Sequence, residues 1–300
     1  VLYRKLDKAS GKVLYRSKPL MLSPQAGYIR PTEGQAWWNT TTTVWRIDEI
    51  IRRSVRDWRR LLGEDGHTGE RTGTMRKAHD SVYTGTHSVF PAPLAEWILL
   101  RYGGPAGARV LDAFAGGPPR AAVASIMGYH YVGFEIRNDQ INENQATLTD
   151  LGLKNVDYIL GDGRFLNGVE GKFDAAFTCP PYYNLEVYSD LPEDLSNSGS
   201  YAEFNADMAM CAMAHAEVMK PGAFVCIVVG PFRDKRTGEL IDFPGDTIVN
   251  FRDAGFIFWQ NIILCKNYAS AAKRSTNAWR GKKLVPCHEH LLVFRQPGGD

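Results

Sequence analysis

At 300 residues, 44% hydrophobic and 23% charged, with 16 prolines against 29 glycines, the chain has the make-up of one large globular domain or two modest ones, not of a disordered or collagenous protein. No apolar run approaches the ~20 residues that span a membrane, and the opening VLYRKLDKASGKV lacks the apolar core of a secretory signal, so an intracellular protein without membrane contact is expected. The net charge of +2 hides an asymmetry: residues 1–86 hold 16 Lys and Arg against 9 Asp and Glu, and residues 87–300 hold 19 against 24.

Residues 1–45 show no periodicity, and TTTT at 40–43 suits an edge strand or a loop. From Ile47, apolar Ile50, Ile51, Val55, Trp58, Leu61 and Leu62 share one helical face, with Arg52, Arg53, Arg56, Arg59 and Arg60 on the others. This predicts an amphipathic basic helix. Residues 63–86 are rich in Gly, Thr and charge and read as a long loop. The expected organisation is a basic N-terminal extension, 1–86, followed by an α/β domain, 87–300.

From His87 the pattern alternates between strand-like and helical stretches, which predicts a mostly parallel, Rossmann-like sheet with helices on both faces. The expected strands are Arg109–Ala113, Tyr129–Glu135, Val156–Leu160, Phe173–Thr178, Ala223–Val229, Phe256–Cys265 and Glu289–Phe294. The expected helices are Ala92–Tyr102, Arg120–Met127, Asn138–Leu151 and Tyr201–Met219. The last two of the seven strands lie too close for a helical crossover, so they are expected to pair antiparallel at the end of the sheet. Between them, Lys266 to Lys283 holds six basic residues, including Lys273, Arg274, Arg280 and Lys282, and no acidic one. With Tyr268 and Trp279 this suits a polyanion-binding loop; a solvated basic loop has the same composition.

The chemistry concentrates at strand ends. RVLDAFAGG opens into PPRAAVASIMG, so Asp112 at a strand's carboxyl end is followed by a small-residue turn, Ala115 to Gly117, and a helix. Such turns let a ligand approach backbone N–H groups at the sheet's crevice. Glu135, ending the next strand, is placed to accept both hydroxyls of an adenosine ribose, and Asp162 in LGDGRFL to accept from an adenine amino group. Either carboxylate can instead cap a loop or a helix; three acidic strand ends in register favour the ligand reading. The fourth strand ends FTCPPYYN. Pro180 and Pro181 remove N–H donors and leave the carbonyls of Cys179 and Pro180 as acceptors, and Tyr182 offers a π face to a planar base.

At this point the sequence resembles the amino-group DNA methyltransferases, whose signature is Asp, Asn or Ser followed by Pro-Pro and an aromatic residue. HSVFPAPLAEWIL, LDAFAGGPPRAAVA, GFEI, MKPGAFVCIVVG and HEHLLVF extend the likeness over residues 87–296, and short phage-type stand-alone methylases look most similar. The resemblance implies S-adenosylmethionine as donor, held by Phe90, Asp112, Ala113, Phe114, Ala115, Gly116, Glu135, Ile136, Asp162, Gly163 and Cys179. It implies an exocyclic amine in double-stranded DNA as acceptor, flipped against a catalytic turn of Cys179, Pro180, Pro181 and Tyr182, in the cytoplasm of a bacterium or phage-infected host.

The sequence departs from the signature at Cys179, because a thiol is a weak acceptor. Cysteine is nearly isosteric with serine, the residue common in cytosine N4 enzymes of the family, which favours cytosine N4 over adenine N6. Three alternatives stay open: thiolate attack by Cys179 on a pyrimidine ring with modification at C5, methylation of structured RNA, and an inactive cofactor-binding protein that recognises nucleic acid. The five cysteines are scattered without a C-x-x-C pair, so neither a disulfide framework nor a metal site is expected. His288 and His290 alternate like edge-facing strand residues, and the Met and Ala repeats of ADMAMCAMAHAEVM read as a buried helix face.

Overall fold

The computed structural model describes residues 4–6, 13–16, 44–46, 58, 62, 90–265 and 278–298. Most of the basic helix expected from Ile47, the loop 63–86 and the basic residues 266–277 lie outside the described residues. Three short strands come first: β1 (Arg4–Leu6), β2 (Val13–Arg16) and β3 (Val44–Arg46). The body then runs α1 (Ala92–Tyr102), β4 (Arg109–Asp112), α2 (Pro119–Ile126), β5 (His130–Glu135), α3 (Asn138–Asp150), β6 (Val156–Leu160) and β7 (Phe173–Thr178). It continues with α4 (Tyr201–Val218), β8 (Met219–Val229), β9 (Phe232–Arg233), β10 (Leu240–Ile241), α5 (Phe243–Asp253), β11 (Ile257–Cys265) and β12 (His288–Arg295).

The main sheet has the order β3-β11-β12-β8-β7-β4-β5-β6. The seven expected strands are all in it, and β3 adds an eighth at the edge, parallel to β11. Strands β8, β7, β4, β5 and β6 run parallel. Strand β12 is antiparallel to both neighbours, β11 and β8. The antiparallel pairing of the last two strands is therefore as expected, but β12 is interior, inserted between β11 and β8.

Alternation along the central strands builds two cores, as a sheet covered on both faces requires. Val110, Phe177, Val228 and Leu291 face one side with Leu94 and Ile98 of α1 and Val123 of α2. Leu111, Ala176, Ile227 and Leu292 face the other with Phe204 and Met208 of α4 and Phe243 and Phe251 of α5. Trp58 and Leu62, both helical, join the first core, and the Trp58 indole N–H donates to the buried Glu96 carboxylate of α1 at 3.0 Å. In α4 the Met and Ala repeat buries Met208, Cys211 and Ala212, while Met210 and Met213 stay exposed.

Helix α5 is not among the helices expected from the sequence. In the fold, the Asp242 side chain caps the helix by accepting from Gly245 N at 3.1 Å. Phe243, Thr247 and Phe251, four apart, form its buried stripe.

Candidate active-site cleft

The register brings the carboxyl ends of β4, β5, β6, β7 and β8 to one edge of the sheet: Asp112 pairs with Gly133, Glu135 with Leu160 and Thr178 with Ile227. Because β12 runs the other way, it begins there, with His290 opposite Val229. Strand order reverses about β4, whose neighbours are β5 and β7, and crevices form at such switch points. A cleft of about 670 Å³ opens there.

Of the sequence-predicted residues, Phe90, Ala113, Phe114, Gly116, Glu135, Ile136, Asp162 and Gly163 line the cleft, as do Cys179, Pro180, Pro181 and Tyr182. Asp112 and Ala115 do not; both are fully buried. Asp112 is a hub beneath the turn. Its Oδ1 accepts from Phe114 N at 3.1 Å and Thr178 Oγ1 at 2.6 Å, and its Oδ2 from Arg120 Nε at 2.5 Å and Tyr131 OH at 2.7 Å. One carboxylate thus ties the ends of β4 and β7 to Tyr131 near the start of β5 and to the start of α2.

The turn itself is shaped by small residues. Gly116 sits at a φ of 51°, in the left-handed region glycine tolerates, and a side chain there would meet nothing within 4 Å. A Cβ on Gly133 would come within 2.9 Å of the Ala115 Cβ, so β5 and the turn approach as closely as a missing side chain permits. Asn144 Nδ2 of α3 donates to the Gly116 carbonyl at 2.6 Å. Helix α2 begins at Pro118 and Pro119, which carry no N–H, so the ligand-facing amide donors expected of a helix start are missing at both positions.

Glu135 accepts from Gly116 N on Oε2 at 3.0 Å and from Arg137 N on Oε1 at 2.9 Å. Each oxygen keeps further acceptor capacity. Burial raises its pKa above the ordinary 4.5, and the Arg137 and Gly116 hydrogen bonds work against that rise. Asp162 is held by its neighbour Arg164, whose Nη2 and Nε donate to Oδ2 at 2.7 and 2.9 Å, while Arg164 N donates to Oδ1 at 2.8 Å.

At the other end of the cleft the Tyr182 ring is set edge-on between Phe232, at 5.8 Å, and Phe243, at 5.6 Å. Burial pushes its phenol pKa well up, so it stays neutral. The next residue, Tyr183, has a φ of 33° and is buried. That left-handed backbone is costly for a bulky side chain; packing against Tyr201 and Phe204 and a hydrogen bond from Arg236 to its hydroxyl hold it. The loop beyond is clamped by Asp194, which accepts from N and Oγ of both Ser189 and Ser196. Trp279 and Leu284, 80% and 84% exposed, stand beside Arg280, Lys282 and Lys283, with Lys283 and Leu284 on the cleft's rim. His288 and His290 stack edge-on at 5.3 Å.

Sequence reasoning passed over Arg120. It is 6% exposed and lines the cleft, its Nη2 donating to the carbonyls of Phe114 and Ala115 at 2.5 and 2.9 Å. Burial would lower its pKa, but Asp112 more than offsets this and keeps it charged. An arginine eight residues after a strand-end aspartate, just past two prolines, was the available signal. Among the described residues no His, Cys, Asp and Glu group is arranged to hold a metal ion, and no helix is long and apolar enough to cross a membrane.

No family model matches the chain. A stretch of 153 residues is 28% identical to the Type II beta methyltransferase M.BslI of Bacillus sp. (strain NEB-606), covering 47% of this chain and 16% of that protein. Among solved structures, TrmN from Thermus thermophilus is similar at a TM-score of 0.46 and 15% identity, over 71% of this chain and 50% of that one. An S-adenosylmethionine-dependent methyltransferase from Methanosarcina mazei matches at 0.47 and 13%, over 67% and 98%. An rRNA methylase from Streptococcus thermophilus matches at 0.44 and 12%, over 69% and 97%. Apart from the added edge strand β3, the seven-stranded sheet with β12 alone reversed is typical of the Rossmann-like fold of S-adenosylmethionine-dependent methyltransferases.

Proposed function

We propose that the protein transfers a methyl group from S-adenosylmethionine to an exocyclic amine of a base in double-stranded DNA, cytosine N4 ahead of adenine N6. The observation that carries this reading is one continuous cleft with Glu135 and the Gly116 turn at one end and the Cys179-Pro180-Pro181-Tyr182 turn at the other. The donor supplies an electrophilic methyl group on a sulfonium. The residues present suit it: Glu135 has acceptor capacity for a ribose diol, Phe114 and Ile136 provide apolar wall for a purine, and Gly116 leaves room at the turn.

The Pro-Pro turn does the work at the acceptor end. An aromatic amine is a poor nucleophile because its lone pair is delocalised into the ring. Accepting its hydrogens on carbonyls near Pro180 makes the nitrogen more tetrahedral and aims its lone pair at the methyl group. Tyr182, held by Phe232 and Phe243, positions the flipped base. The basic rim with exposed Trp279 supports a polyanionic substrate. Structured RNA is the second reading, since the groups of the turn address the base and not the sugar.

Mass spectrometry of nucleosides from DNA and RNA incubated separately with protein and donor tests the proposal. N4-methylcytosine or N6-methyladenine in DNA is the expected product; product in RNA alone moves the assignment to RNA, and none in either overturns the reading. Cys179→Ser should keep or raise activity, since the hydroxyl is a similar-sized, better acceptor. An inactive but folded variant, or a stable adduct with a 5-fluorocytosine duplex, would instead assign thiolate chemistry at C5. Replacing Arg280, Lys282 and Lys283 with glutamine should flatten the salt dependence of DNA affinity, by ~0.9 log units of slope for each phosphate no longer neutralised; an unchanged slope removes this rim from the interface.

A further inference from the structure

We infer that Arg120 is the anion-binding residue of the donor site and pairs with the carboxylate of the donor's amino-acid arm; this rests on the cofactor reading above. A sulfonium joins three arms. With the ribose held at Glu135 and the methyl group directed at the Cys179-Pro180 turn, the third arm, which ends in a carboxylate and an ammonium group, would lie against the wall between them.

That wall has a reduced form of the usual anion-binding device, because Pro118 and Pro119 at the start of α2 carry no N–H and only the amides that follow remain free. The Arg120 side chain adds a donor there. Its guanidinium lies under the turn that Glu135 holds from the other side: Nη2 is bonded to the Phe114 and Ala115 carbonyls, and Gly116 N to Glu135. Through Asp112 it is joined to Thr178, the residue before Cys179. It is also stacked on Phe90, its Cζ 4.9 Å from the ring centre.

The Nε and Nη2 donors are therefore committed to holding the residue in place, while Nη1 makes no hydrogen bond among the described residues and the side chain borders the cleft. Asp112 offsets its charge, but a guanidinium fixed in place with an uncommitted Nη1 still donates charge-assisted hydrogen bonds to a second carboxylate. The other cleft-lining arginine on this side, Arg137, is turned onto Asp139 at 2.6 Å.

Calorimetry with three probes tests this: S-adenosylhomocysteine, which has the carboxylate, and decarboxylated S-adenosylmethionine and 5′-methylthioadenosine, which lack it. The native protein is expected to bind S-adenosylhomocysteine about 10- to 100-fold more tightly than either carboxylate-free probe. Arg120→Gln should lose that margin, S-adenosylhomocysteine affinity falling about 10- to 100-fold further than that of 5′-methylthioadenosine as loosening of the turn weakens both, and Arg120→Lys should recover part of it. Equal loss for all three probes in Arg120→Gln would assign a purely structural role and overturn the inference. So would equal affinity of the native protein for probes with and without the carboxylate, a comparison that needs no variant to fold. Failure of the native protein to bind any of the three overturns the cofactor reading itself.

Discussion

On the proposed assignment of the ribose to Glu135, replacing Glu135 with alanine is expected to weaken S-adenosylhomocysteine binding by about 100-fold or more, because two charge-assisted hydrogen bonds would be removed together. Calorimetry on the folded variant checks it, and an unchanged affinity would place the ribose elsewhere. The same carboxyl predicts a pH dependence. Its pKa is raised by burial above the ordinary 4.5, so binding should weaken as pH falls through that raised value, earlier than an ordinary glutamate would cause. The stability effect has the opposite sign. A carboxyl whose folded pKa exceeds its unfolded one binds protons more readily when folded, so its contribution to stability is present at low pH and lost as pH rises above the unfolded value. Glu135→Gln relieves that charge-burial cost at neutral pH but gives up one of the two oxygens that accept from Gly116 N and Arg137 N, so it should bind the donor less well.

Asp112→Ala should be the most destabilising single change at the site, costing about 3 to 5 kcal/mol in urea unfolding, because it leaves the buried Arg120 cation without its counter-charge. It also leaves the Thr178 and Tyr131 hydroxyls without their acceptor. Donor binding should fall with it, through loosening of the turn, since Asp112 itself does not border the cleft. Removing both charges, with Asp112→Ala and Arg120→Met together, should cost clearly less than the two single losses added. Additive losses would mean that the pair is not the unit that holds the turn.

Local signals in the chain were enough for much of this. Short continuous apolar runs, as in RVLDA, YVGFE and VCIVV, mark strands covered on both faces, because consecutive side chains leave a strand on opposite sides and here both sides meet core. Small residues after Asp112 and two prolines after Cys179 mark turns, since they act on the backbone dihedrals of their own positions. The gathering of Gly116, Glu135, Asp162 and Pro180 at one edge could be anticipated because parallel strands must all end on the same side. What tertiary structure decided depends on partners far along the chain. The insertion of β12 between β11 and β8, and the addition of β3, are choices among strand edges that no local pattern distinguishes. Helix α5 is stabilised by core packing of Phe243 and Phe251 that outweighs its turn-like start. Asp112 looked like a ligand group from its position alone; only when β5, β7 and α2 close around it do Tyr131, Thr178 and Arg120 claim both its oxygens and leave the arginine, not the aspartate, at the cleft wall.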